Sequence, residues 1–246
     1  MCCFSGKVDR VADTNIFARA AKAGRQFLVY SMRFQAANDV AMILPIPTPK
    51  ASAEDAVKFL NLEKYPEFFT ELASGFPAPQ AAGRGPALAG RVAAPKLAVV
   101  EVGSFVASFV PTVKDFARLD EQFRLPAATW DALPRYKDWG FAVFQLKKGK
   151  DIQKVHPMAF DFPRADPKKL FFPTVHIHDG KVHEKARFDH WLYCQTDGLM
   201  MRWEESPQPA GMFLKKTNEL HGIVDPNAHV YRRRLTGVLA NEDWVV

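Results

Sequence analysis

Residues 26–35 alternate Phe27, Val29, Ser31 and Arg33 against Leu28, Tyr30, Met32 and Phe34, and residues 40–46 follow as a continuous apolar run. A two-residue period places successive side chains on opposite faces of a strand, and an unbroken apolar run suits a strand covered on both faces. Any fold for this chain must therefore bury a sheet on both sides, and helices have to fit around it. Asn38-Asp39 supplies the turn between the two segments, while Pro45 and Pro47 end the second.

The rest of the chain carries the same signature in shorter pieces. Residues 96–110, 139–147, 155–162, 172–178, 182–195 and 230–239 read as strands, with Lys148-Gly149-Lys150-Asp151 as a hairpin turn between the second and third of these. Helical spacing is confined to Ala56, Phe59 and Leu60 with Phe68, Phe69 and Leu72, expected as two short helices on either side of Pro66, and to residues 112–123, with Thr112 as the expected cap. The expected fold class is α+β: β-dominated antiparallel sheets, as a sandwich or mixed sheet, with a few short helices. With 246 residues, 48% hydrophobic, one compact domain over 1–246 is the first reading, carrying a Gly-, Pro- and Ala-rich loop at 75–95. The alternative is two subdomains, 1–75 and 96–246.

The formal charge of +6 is modest, and its one compact run, Arg232-Arg233-Arg234, splits between the two faces of a strand. Nucleic acid is therefore not an expected partner. No basic stretch leads into an apolar signal segment and no stretch is long enough to span a bilayer, so a cytoplasmic location without membrane contact is expected. A P-loop, Gly-x-Gly-x-x-Gly and Gly-x-Ser-x-Gly are all absent from the sequence, which lowers the standing of nucleotide-cofactor folds and α/β-hydrolases.

Four of the seven histidines fall between residues 176 and 190. Asp179-Gly180 between alternating apolar positions is a strong two-residue hairpin signal, and that register pairs His178 with Lys181, Ile177 with Val182 and His176 with His183. Same-face neighbours on a strand sit about 6.7 Å apart and opposed β-carbons about 5 Å apart, so His176, His178 and His183 would form one patch. Three convergent neutral imidazoles bind a divalent or redox metal (copper, zinc or iron) and leave coordination positions open for water or substrate. A three-residue loop would instead move His183 to the other face, and a solvated turn is the plain alternative.

His190 and Cys194 share parity and point away from that patch in a regular strand. They count as candidate catalytic residues if a bulge intervenes, and otherwise as a core imidazole and a buried inert thiol. Cys2 and Cys3 are the remaining candidates. If Met1 is removed, Cys2 carries both a thiol and an α-amine able to act as a base, the logic of N-terminal nucleophile hydrolases; either cysteine could also serve as a soft ligand. Residues 42–47, Met-Ile-Leu-Pro-Ile-Pro, following an early cysteine stretch and a strand pair and preceding an acidic helical segment, resemble the opening of bacterial DUF2330-type domains over about the first 70 residues. That resemblance implies no activity. The spacing His-x-His-x4-His at 176–183 is similar to the first metal motif of cupins.

The function expected from these residues is a metal-dependent enzyme, with oxidoreductase chemistry in view, in which the histidine hairpin holds the metal and Cys2, Cys3 or Cys194 supplies a thiol. Its substrate would be a small molecule or a peptide; nothing specifies an oligomeric state. Two other classes remain open: an N-terminal cysteine hydrolase or amidotransferase at Cys2, and a noncatalytic metal-binding or partner-binding β-domain.

Overall fold

The computed structural model describes residues 3–77, 100–102, 105–178, 180–198 and 200–246. The chain opens with β1 (Cys3–Phe4), β2 (Arg10–Ala20), β3 (Arg25–Ala36), β4 (Val40–Ile46) and β5 (Lys58–Asn61), then helix α1 (Phe68–Ser74). Strands β6 (Val100–Val102) and β7 (Phe105–Val110) precede a run of 3-10 turns and the short helix α2 (Ala127–Asp131). Next come β8 (Gly140–Leu146), β9 (Gly149–Lys154), β10 (Met158–Pro163) and β11 (Phe171–Phe172). Strands β12 (Lys185–Gln195), β13 (Glu204–Glu205), β14 (Tyr231–Ala240) and β15 (Trp244–Val245) complete the order.

These strands form a β-dominated α+β fold. One sheet runs β1-β4-β8-β7-β6; the larger runs β13-β14-β12-β2-β3-β10-β5, with β9 also on β3, and β11 pairs with β15. Pairing is antiparallel except between β12 and β2, which run parallel from Trp191↔Asn15 to Gln195↔Arg19. The alternation in β3 and β4 explains the layering. Met42 and Leu44 of β4, with Phe144 of β8, meet Leu28 and Tyr30 of β3, Phe160 of β10 and Leu192 of β12 in a core between the sheets. The opposite faces are covered as well: Ile43, Phe141 and Val143 pack under Phe116, Trp130 and Tyr136, and Phe17, Val29 and Tyr193 pack under Phe68, Phe69 and Leu72 of α1.

Local signals gave way where a longer-range partner was available. Only one of the two expected helices around Pro66 forms; Lys58–Asn61 is a strand instead, because β10 offers it an edge from Met158↔Asn61 to Asp161↔Lys58. The expected helix over 112–123 is two 3-10 turns, and the Thr112 hydroxyl donates to the Asp115 carboxylate at 2.7 Å instead of capping an amide. The strands flanking Lys148–Asp151 part company: β8 pairs with β4 and β7 in one sheet, while β9 and β10 both pair with β3 in the other. The loop expected at 75–95 falls, beyond residue 77, outside the described residues.

The hairpin expected at 179–180 has no paired arms among the described residues, and Asp179 itself lies outside them. Strand β12 begins at Lys185 and pairs with β14 from Lys185↔Ala240 to Cys194↔Tyr231, so its first residues are committed to β14 and not to the chain preceding them. That preceding segment is held by the C-terminal tail. Asn241 Oδ1 accepts the His176 N–H at 2.7 Å, and Asn241 Nδ2 donates to the carbonyls of His176 and His183, each at 2.9 Å. Asp243 accepts the N–H groups of Thr174 and Val175 at 2.9 and 3.2 Å and the Tyr136 hydroxyl at 2.5 Å. These side chains supply what a neighbouring strand would have supplied, since a buried main-chain polar group without a partner costs about 1–3 kcal/mol. Replacing Asn241 with alanine is expected to lower unfolding stability by about 2 kcal/mol in urea titrations and to speed hydrogen exchange at the His176 amide.

Candidate functional site

The alternation of β12 sorts its residues cleanly. Phe188, His190, Leu192 and Cys194 turn inward, and Asp189, Trp191 and Tyr193 turn to the other face. The loop before β12 delivers His176 and His178 to the inward side, so the rings that meet are His178, His176 and His190. The His176 ring centroid lies 5.5 Å from that of His178 and 5.1 Å from that of His190, with planes 15° and 11° apart. Phe188 sits 4.3 Å from His176, and Phe4 lies edge-on to His178 at 5.6 Å. His183, the expected third member, is exposed and stays outside this stack; its place is taken by His190.

Burial governs the chemistry of these rings. Loss of hydration pushes both His176 and His190 far below the ordinary imidazole value, and the neighbouring imidazoles push in the same direction. Both are neutral at physiological pH. The Nδ1 of His190 accepts the Asp189 N–H at 3.3 Å, which assigns the ring proton to Nε2; the 3.4 Å contact of the same Nδ1 with the Asp189 carboxylate is therefore not an ion pair. His176 Nε2 is buried and has no hydrogen-bond partner among the described residues.

The cysteines are equally enclosed. Cys194 is buried on the inward face of β12, and burial pushes its thiol up to about 12, so it is protonated and a poor nucleophile at neutral pH. Cys3 is buried in β1 opposite Ile43, bridged on its other side by Ile177. Cys2 lies outside the described residues. Among the described residues, no three His, Cys, Asp or Glu side chains are placed to hold a metal ion, and no helix is long and apolar enough to cross a membrane.

No family model and no curated protein sequence matches this chain. Among solved structures it is similar to baculovirus P35, with a TM-score of 0.50 and 12% identity over 99% of this chain and 98% of that one. P35 has also been solved in complex with caspase-8 (TM-score 0.47, 14% identity, 95% of each chain) and, as a mutant, after caspase cleavage (TM-score 0.46, 14% identity, 95% of this chain and 98% of that one). At such identities the likeness shows a shared fold. The expectation of a metal-dependent oxidoreductase is corrected: the fold is one shared with P35, and His176, His178 and His183 do not come together as a metal-holding group among the described residues.

The residues that sequence reasoning missed are Asn241 and Asp243, which place the histidine segment, and Trp191 and Arg234, paired across β12 and β14. Parity alone would have put Trp191 opposite His190, but only the strand order shows which residues stand beside it. Two tests follow from the burial. Because the folded-state values of His176 and His190 lie below the unfolded value of about 6.5, the unfolded chain binds more protons in acid, so stability held above pH 6.5 is lost as the pH falls below it. Each ring is expected to contribute up to about 1.4 kcal/mol per pH unit to that slope, and His176→Leu should remove one such share in urea titrations between pH 7 and 5. A thiol-reactive dye should label Cys194 only at the rate of global unfolding; rapid labelling of the native protein contradicts the burial described.

Proposed function

We propose that this chain is a noncatalytic protein that acts by binding a partner, and that the partner is a protease. The observation that carries this reading is the likeness to P35 along essentially the whole of both chains, P35 being a protein that binds caspase-8 and, in mutated form, has been solved after caspase cleavage. The interior supports it. His176, His190 and Cys194 are packed between the sheets as neutral rings and a protonated thiol, out of reach of a substrate.

The direct test mixes the purified chain with active caspase-8 and, in parallel, with a panel of cysteine and serine proteases, and follows size-exclusion chromatography, intact mass and turnover of a small fluorogenic peptide. At least one protease is expected to co-elute with the chain, to cut it at a single bond, and to lose about tenfold or more of its peptide turnover at equimolar ratio. Full turnover and separate elution for every protease in the panel defeat the proposal.

A further inference from the structure

The outward face of β12 is only half covered. Helix α1 seals the row made by Tyr193, Phe17 and Val29, but no helix or strand among the described residues covers the next row along the strands, Arg234, Trp191, Asn15 and Ser31 on β14, β12, β2 and β3. It forms the floor of a groove of about 630 Å³, walled by Pro66, Phe69 and Ala73 on one side and reaching Lys154 and Pro157 at its far end.

The charges in this groove are unevenly paired. Arg33 holds Asp13 at 3.2 Å, and Arg232 holds Glu204 through two hydrogen bonds of 2.7 and 3.0 Å. The Asp189 carboxylate accepts the Asp13 N–H at 3.2 Å. Arg234 and Lys154 have no acidic partner among the described residues, and both are exposed. The Arg234 guanidinium lies 5.3 Å from the centre of the Trp191 ring and that of Arg232 lies 5.0 Å from it, so the indole is fixed as a flat apolar platform beside a free cation.

We propose that this groove binds an extended acidic peptide segment of a protein partner, with one carboxylate on Arg234, a second toward Lys154, and an aromatic side chain between them on Trp191. The spacing follows from the sheet. From β14 through β12, β2 and β3 to β9 there are four inter-strand steps, roughly 19 Å at about 4.8 Å each, which an extended chain spans in about six residues. Peptide chemistry is favoured over a nucleic-acid strand because Asp13 and Asp189 stand in the same groove and repel a continuous run of phosphates, whereas separated carboxylates avoid them. This surface lies on the opposite face of β12 from the imidazole stack and does not depend on the protease reading.

The test uses the full chain and fluorescein-labelled hexapeptides with glutamate at both ends and one tyrosine or phenylalanine at each internal position in turn, read by fluorescence anisotropy without any protease present. Saturable binding by at least one peptide is expected, weakened about tenfold or more by Arg234→Glu and by Lys154→Glu at unchanged melting temperature, and weakened by Trp191→Leu without added salt dependence. Absence of saturable binding up to about 1 mM overturns the proposal. So does binding indifferent to both charge reversals, or displacement of the peptide by an oligonucleotide at the same concentration of charge. A protease that co-elutes with the chain while these peptides fail leaves the protease reading standing and removes this one.

Discussion

The placement of β12 between β2 and β14 is the constraint on which the rest of the molecule turns. Its pairing with β14 starts at Lys185 and its pairing with β2 at Trp191, and the chain leading into it is held by other means. That means is the C-terminal tail, which reaches back from β14 to bind 174–176 through Asn241 and Asp243 and pairs β15 with β11. The partly buried Asp243 carboxylate is pushed above its ordinary range by loss of hydration, and its hydrogen bonds to Tyr136, Thr174 and Val175 work against that shift. A carboxylate can stand at that depth only because those donors replace water.

The sheets were legible in the sequence where a segment's own pattern decided its state. Residues 40–46 read as a strand buried on both faces and are β4, fully buried along its length; residues 26–35 became β3 with one more residue at each end. Residues 230–239 became β14, shifted by a single position. Patterns of this kind depend only on which faces are covered. What the pattern does not encode is which strand lies alongside, and the departures at 58–61 and in the histidine segment have that origin. Ala56, Phe59 and Leu60 keep helical spacing ahead of Pro66, yet Lys58–Asn61 completes an edge on β10, since edge pairing satisfies its main chain more fully than a short helix stopped before Pro66.

The candidate site failed for the same reason, and instructively. The Asp179-Gly180 turn signal is local, and Gly180 does adopt a left-handed φ of 74°, but a turn makes a hairpin only if both arms are free to pair. With β12 committed elsewhere, His183 stays out in solvent and the inward parity of β12 brings His190 to His176 in its place. The parity argument that grouped His190 with Cys194 was sound: the two do share a face of β12. The error lay in assuming which element that face would meet.

A residue's chemical repertoire matters only where something can reach it. The imidazoles of His176 and His190 and the Cys194 thiol fill space between the sheets, where desolvation keeps them uncharged, and Cys3 is packed in the cluster on the other face of the smaller sheet. The imidazole stack carries a cost as well, because His176 Nε2 gives up its water without gaining a protein partner among the described residues. The outward face of the same strand has the reverse character. Trp191, Arg234 and Arg232 present a rigid apolar plane flanked by guanidinium groups, a combination enriched where proteins hold one another. One strand therefore carries buried, uncharged side chains on its inner face and an aromatic plane flanked by guanidinium groups on its outer face.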